Sequence, residues 1–240
     1  MFLYYGMPFG YYYFDWTYIL VAIGAVLSIA ASMFVKSTYA RYSRVSSHSG
    51  LTGAMAAERI LHRSGIYDVT IERVSGNLTD HYDSRNKVLR LSDNVYGNSS
   101  VAAIGVAAHE CGHAIQDQNA YGPLRLRAML VPVANFGATL SWPIIIAGVL
   151  MGNSQTLITI GILLFSAAVL FQLVTLPVEF NASRRALAQL SSTGMMYPEE
   201  VKKTGKVLTA AALTYVAAAA ASILQLLRLI ILFGNRRSND

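Results

Sequence analysis

Cysteine is almost absent from this chain: Cys111 is the single one in 240 residues, which excludes an internal disulfide framework. Charge is scarce as well, at 13% of residues, against about 25% in an ordinary soluble domain. The scarcity is uneven. Residues 128–178 contain no Asp, Glu, Lys, Arg or His over 51 positions, room for two membrane-spanning helices of about 20 residues each and a turn. Lys and Arg are missing from residues 1–35. A secretory signal peptide would start with a basic segment, so the first apolar stretch is expected to be an uncleaved anchor.

The apolar stretches organise the chain. Residues 17–35 form the first expected span, preceded by an aromatic stretch at 1–16 whose Tyr and Phe suit a membrane–water interface. Residues 128–151 and 156–178 form a helical hairpin turning at Gly152-Asn153-Ser154-Gln155, with Pro132 and Pro143 inside its first helix, where kinks are tolerated in a membrane. Residues 207–233 are Ala-rich and apolar with Arg228 as their single charge. They either span the membrane, with Arg228 snorkelling near one end, or pack on the other helices and dip into the interface. Residues 234–240 are a short tail. The net charge of +6 invites a nucleic-acid reading, but the cations cluster beside the spans, as the positive-inside rule requires, so no nucleic-acid partner is expected.

Eleven of the nineteen Lys and Arg lie in residues 36–127, the main polar domain. Leu51–Ser64 has helical spacing of apolar residues and stops at Gly65. Val69–Val74 alternates and is β-branched, which predicts a strand; Ser75-Gly76-Asn77 predicts a turn, and Lys87–Ser92 a second short strand. A helix capped by Asn98 or Ser99 is expected to run to about Gln118, with Gly122-Pro123 ending the unit. In residues 179–206, Asn181–Leu190 predicts a basic helix and Ser191–Pro198 a loop.

The predicted helix before the hairpin carries His109-Glu110-Cys111-Gly112-His113. Residues four apart share a helix face, so the two imidazoles converge on one point, as two nitrogen ligands of Zn²⁺ must. Glu110 is placed to accept a proton from a metal-bound water. Cys111 points off the His face and reads as a small packing residue. A catalytic zinc site usually takes a third protein ligand, and Glu179 is the candidate. A hairpin returns the chain to the face it left, so a residue just after residue 178 emerges beside the helix that precedes the hairpin. A carboxylate at a span boundary is also costly unless paired or solvated. The competing reading pairs Glu179 with Arg184 or Arg185. Asp117, a turn beyond His113, is displaced about 6 Å along the axis and suits an outer contact better than ligation.

The segments HECGHAIQDQ at 109–118, LTDHYD at 78–83 and EFNAS at 179–183 resemble the bacterial neutral zinc metallopeptidases of the YugP-like membrane family, over nearly the whole chain. The resemblance implies His109, His113 and Glu179 as zinc ligands and Glu110 as catalytic base. In gluzincins generally an Asp often follows the Glu ligand by four; Ser183 holds that place here. The expected protein is therefore mainly α, a polytopic membrane protein whose helical, zincin-like catalytic domain with a small sheet is inserted between membrane helices. Its expected activity is zinc-assisted hydrolysis of peptide bonds in peptides or membrane proteins at the bilayer. The basic flanks place residues 36–127 and 179–206 on the cytoplasmic face of the cell membrane.

Three rivals stand beside this reading. A non-catalytic zinc-stabilised membrane adaptor would have no use for Glu110. A peptidase cutting inside the bilayer would bury the motif in a full span, yet only the eight apolar residues Val101–Ala108 precede His109. A transporter would want ionisable groups at mid-span. The Lys87–Ser92 strand could offer an edge to an extended peptide, with His81 and Tyr82 bordering the cleft and His81 donating to a developing oxyanion. Alternatively, His81 and Asp83 only organise the turn between two strands.

Overall fold

In the computed structural model, which describes residues 15–234, ten elements follow the apolar and polar blocks of the sequence: α1 (Tyr18–Tyr42), α2 (Gly53–Arg63), β1 (Thr70–Val74), β2 (His81–Asp83), β3 (Val88–Ser92), α3 (Asp93–Tyr96), α4 (Val101–Gln118), α5 (Gly122–Leu150), α6 (Gln155–Ser192) and α7 (Pro198–Phe233). The protein is a mainly helical, polytopic membrane protein. α1, α5, α6 and α7 are each long and apolar enough to cross a membrane. The aromatic residues 1–14 and the tail cations Arg236 and Arg237 lie outside the described residues.

Small residues set how closely the long helices approach. α5 and α6 form the hairpin, turning through Gly152 and Asn153, both at positive φ (74° and 61°). Gly137 faces the Leu164 carbonyl so closely that a Cβ there would sit 2.5 Å from the oxygen, and Gly161 lies similarly against Ser141. Close backbone approach of this kind drives helix association where lipid removes the hydrophobic incentive. α1 packs along α7, with Gly24 against Ala221. The Ala-rich run is thus half of an interhelical contact. α7 is a full-length helix that starts at Pro198, nine residues before the apolar stretch at 207. Arg228 is tied down at its far end: its guanidinium donates to Asp15 and Thr17 (both 3.1 Å) and lies 4.1 Å over the Tyr18 ring. Pairing, with a neighbouring helix end, satisfies the charge that the sequence left to snorkelling.

The polar domain surrounds α4. Ser100 caps it, accepting from the Ala103 amide at 3.2 Å. Its small residues (Ala102, Ala103, Gly105, Ala107, Ala108 and Gly112) let α2 press on one face and α6 and α7 on others, so most of the helix is buried. The sheet order is β1-β3-β2, with β1 parallel and β2 antiparallel to β3. The Lys87–Ser92 strand is therefore central and paired on both sides, with no free edge to offer. The strand that sequence reading missed, β2, is only three residues long, too short for a period-2 pattern to register. Its outer edge is unpaired in the sheet, and the strand itself touches α4 through Tyr82 and Asp117.

Two further boundaries carry more than the sequence reading gave them. The α4 unit ends before Gly122-Pro123, as expected, but that pair also opens α5, where proline suits the first turn because its missing N–H would be unpaired anyway. Asn181–Leu190 is no separate helix. It continues α6 without a break past Pro177, so Glu179 and the basic segment after it project from one rigid rod.

Candidate metal centre

α4 meets α6 where both carry small residues. A Cβ on Gly112 would lie 2.5 Å from the Ala182 carbonyl oxygen and 3.0 Å from its Cα. This contact brings the His109/His113 face onto Glu179, three residues before Ala182. Gly112→Ala should force the helices apart, at a cost of about 1–3 kcal/mol, and lower zinc occupancy as well as the thermal unfolding midpoint. Unchanged zinc content in this variant would mean that the close approach is not what aligns the ligands.

His109 Nε2 lies 3.3 Å and His113 Nε2 3.7 Å from the same oxygen of Glu179, and the three side chains offer ligand atoms all within 4.8 Å of one another. Ligands about 2.0–2.2 Å from a tetrahedral ion sit about 3.3–3.6 Å apart, so the spacing fits Zn²⁺. The donor chemistry fits as well, since two imidazoles and a carboxylate leave a fourth position open. Each imidazole also has its other nitrogen engaged. His109 Nδ1 faces Ser183 Oγ at 3.1 Å, and His113 Nδ1 faces Gln116 Oε1 at 3.0 Å. With Nδ1–H donating to these oxygens, Nε2 of both rings is left with a lone pair for a metal.

Gln116 was not anticipated from the sequence. Its amide group spends both donors on α6, on the Val178 carbonyl (2.8 Å) and Asn181 Oδ1 (3.0 Å), while its oxygen holds His113. It is fully buried and bolts α4 to α6, the helix that carries Glu179. Its signal was its place three residues beyond His113, on the same face. Asp117 is not the outer partner of the histidines. It accepts from the Tyr82 hydroxyl (2.9 Å) and Lys87 Nζ (2.7 Å), tying α4 to the sheet; burial and then this bond push the Tyr82 phenol up. Ser183 takes the position four residues after Glu179 and touches His109, a neutral acceptor where gluzincins often carry a carboxylate.

Glu179 is almost wholly buried and does not pair with Arg184 or Arg185; Arg185 turns to Asn181 instead. Its second oxygen lies 3.8 Å from an Arg127 terminal nitrogen on α5, while Arg127 Nε is buried without a partner among the described residues. Burial alone would lower the His113 imidazole, but the bond to Glu179 and the charge of Glu110 more than offset it and hold the ring above its ordinary value. Glu110 is buried beside this ring and makes no ion pair among the described residues. Tyr215 of α7 is the other unanticipated neighbour, half-buried and close enough to feel the charges of Glu179, Glu110 and Arg127. Nothing in an Ala-rich apolar helix singled it out. Cys111 is fully buried against the Ala57 carbonyl, away from the ligands.

The LTDHYD segment is used up locally. Asp80 accepts from the Ser92 amide (2.7 Å) and hydroxyl (2.9 Å), and Asp83 takes the Asn86 side chain and the amides of residues 85 and 86, which hold its carboxyl down at about 2. His81 is not brought to the triad. Tyr82 faces α4, so its strand neighbour His81 faces the opposite side of the sheet. The His81 ring donates through Nδ1 to the Thr79 carbonyl at 2.8 Å, which leaves Nε2, 3.4 Å from Arg90, an acceptor rather than an oxyanion donor. His81→Ala should therefore leave hydrolysis nearly unchanged. A loss of about 10²-fold, the scale of a missing oxyanion donor, would put it back in the cleft.

Comparison with known proteins agrees with this geometry. The sequence profile of the family described as "putative neutral zinc metallopeptidase" matches residues 17–234. The chain is 50% identical over 224 residues to "Putative membrane protease YugP" of Bacillus subtilis (strain 168), covering 93% of this chain and 99% of that protein. No solved structure matches. A match over nearly the full length, in a chain whose two histidines and glutamate converge as a zinc site requires, makes this protein a member of the neutral zinc metallopeptidase family.

Proposed function

We propose that the protein is a membrane-embedded zinc endopeptidase, with His109, His113 and Glu179 holding the metal and Glu110 as general base. The observation that carries this reading is the convergence of two imidazole Nε2 atoms and one carboxylate oxygen, each ring fixed through its Nδ1. A bound Zn²⁺ would supply a Lewis acid that polarises the scissile carbonyl and brings the pKa of water towards about 7. Glu110 accepts the proton of the attacking water and returns it to the leaving amine, so one carboxylate serves both halves of the hydrolysis. Arg127, with a buried donor unspent among the described residues, and Tyr215 are neighbours of Glu179, where they can stabilise charge developing on the carbonyl oxygen. An extended substrate lies along the free edge of β2, where main-chain hydrogen bonds fix a scissile bond without reading its sequence.

A non-catalytic adaptor is the weaker reading. A purely structural zinc site has no need of Glu110, and a buried carboxylate without an ion pair is costly to keep. The proposal is tested on the purified chain in detergent with an unstructured protein substrate. Release of new α-amino groups should stop on chelation and resume on adding Zn²⁺. Hydrolysis indifferent to chelation, or none with zinc bound, contradicts it.

The catalytic face is cytoplasmic in this account. Lys36, Arg41 and Arg44 follow the apolar part of α1, Arg125 and Arg127 open α5, Arg184 and Arg185 close α6, and Lys202, Lys203 and Lys206 open α7, all at one end of the bundle. The opposite turn, Met151–Ser154, carries no charge. The positive-inside rule places the basic end inside. A cysteine introduced at Ser46 should resist a membrane-impermeant thiol reagent in intact cells and react after permeabilisation; ready labelling in intact cells would reverse the topology.

A further inference from the structure

A cavity lies at the basic end of the bundle, lined by none of His109, His113 and Glu179. It measures about 500 Å³ and is walled by α1, α6 and α7. Arg41, Lys202 and Lys206 line it, with Thr38 and Thr209 between them and Phe34 at one end. The spacing explains why the helices make a pocket here. Phe34, Thr38 and Arg41 recur at four and three residues on one face of α1, and Lys202, Lys206 and Thr209 do the same on α7. Gly205 faces the floor, where the nearest atoms are the Leu187 methyls, 3.7 Å from where its Cβ would lie.

Two of the three charges in this cavity are not paired by the described residues. Lys202 pairs with Glu199 at 2.8 Å, an exposed contact between neighbouring turns. Arg41 and Lys206 make no ion pair among the described residues, and no carboxylate lines the cavity. Three cations in a concave site with hydroxyl donors fit a phosphate. The position selects which phosphate. On α1 the chain is uncharged from Tyr18 to Val35, and on α7 from Val207 to Leu227, so the cavity sits at the step from the apolar to the charged part of both helices. Below it, α1 presents Ile29 and Met33 to the outside, a surface suited to acyl chains. A headgroup lodged between basic membrane helices at this depth, with its tails running down the apolar face, obeys both constraints at once. A free phosphate uses only the first.

We propose that this cavity is a binding site for the phosphate of an anionic phospholipid of the basic-side leaflet. The site involves none of the residues that would hold the metal, so its occupancy is read without reference to hydrolysis.

Native mass spectrometry of the full chain in neutral detergent tests it, with phosphatidylglycerol and phosphatidylcholine as probes. Phosphatidylglycerol should be retained and phosphatidylcholine should not. The Arg41→Ala/Lys206→Ala double variant should lose at least about tenfold in apparent affinity, on the scale of two juxtamembrane cations. Gly205→Leu, which fills the floor without changing charge, should lose the lipid as well. Thermal unfolding and zinc content in the same samples report whether each variant is folded. Arg59→Ala/Arg63→Ala, which removes two exposed cations from α2, should leave retention unchanged. The proposal is overturned if that control weakens binding as much as the cavity variant. It is equally overturned if both cavity variants, folded, keep full retention, or if inorganic phosphate displaces the lipid.

Discussion

Glu110→Gln is expected to keep its zinc and lose about 10²–10⁴-fold in hydrolysis, the range that a positioned proton-transfer group contributes. The substitution keeps the size and burial of the side chain, and the three ligand atoms at 109, 113 and 179 do not depend on it. What goes is the capacity to accept a proton at the centre of the site. Zinc content and turnover measured on one preparation separate this from unfolding. Loss of zinc together with activity would mean that Glu110 helps to build the site rather than to run the reaction, and substantial activity in a zinc-loaded Gln variant would remove it from the mechanism.

Glu179→Ala should fail differently, with zinc lost first and activity as a consequence. Both histidines face one Glu179 oxygen, and the side chain is almost wholly buried, so no water-exposed carboxylate stands ready to replace it. The loss in zinc affinity should exceed the roughly 10–100-fold that removing an outer hydrogen-bond partner of a ligand costs. Gln116→Ala supplies that comparison within the same site, because it frees His113 Nδ1 without removing a ligand. Normal zinc content in Glu179→Ala would sink the assignment of the third ligand. Equal losses in the two variants would show that Glu179 acts by orienting the rings.

The convergence of His109, His113 and Glu179 was legible in the sequence because two kinds of information coincide there. The pair at 109 and 113 is a local helical spacing, and the position of Glu179 follows from the hairpin that separates it from α4. Gln116 and Tyr215 were not legible for opposite reasons. Gln116 is local, yet its role depends on which α6 groups it meets, the Val178 carbonyl and Asn181. Tyr215 is remote, and only the packing of α7 on α4 and α6 brings it to the site. The sheet was half legible. β1 and β3 have β-branched or alternating sequences, but strand order depends on non-local pairing, so the edge expected of Lys87–Ser92 belongs to β2. His81 shows the limit of motif reading. Its segment is dense in polar residues because Asp80, Tyr82 and Asp83 each hold a piece of backbone or a neighbouring element in place.

The central claim is the identity of the metal's ligands, and zinc-edge X-ray absorption on the purified full chain reads them directly. The account predicts about one zinc per chain, coordinated by nitrogen and oxygen at about 2.0–2.2 Å with the scattering pattern of two imidazoles and no sulfur. A sulfur at about 2.3 Å would bring in Cys111, which the structure buries against the Ala57 carbonyl. That result, or the absence of bound zinc from a folded chain, would contradict it.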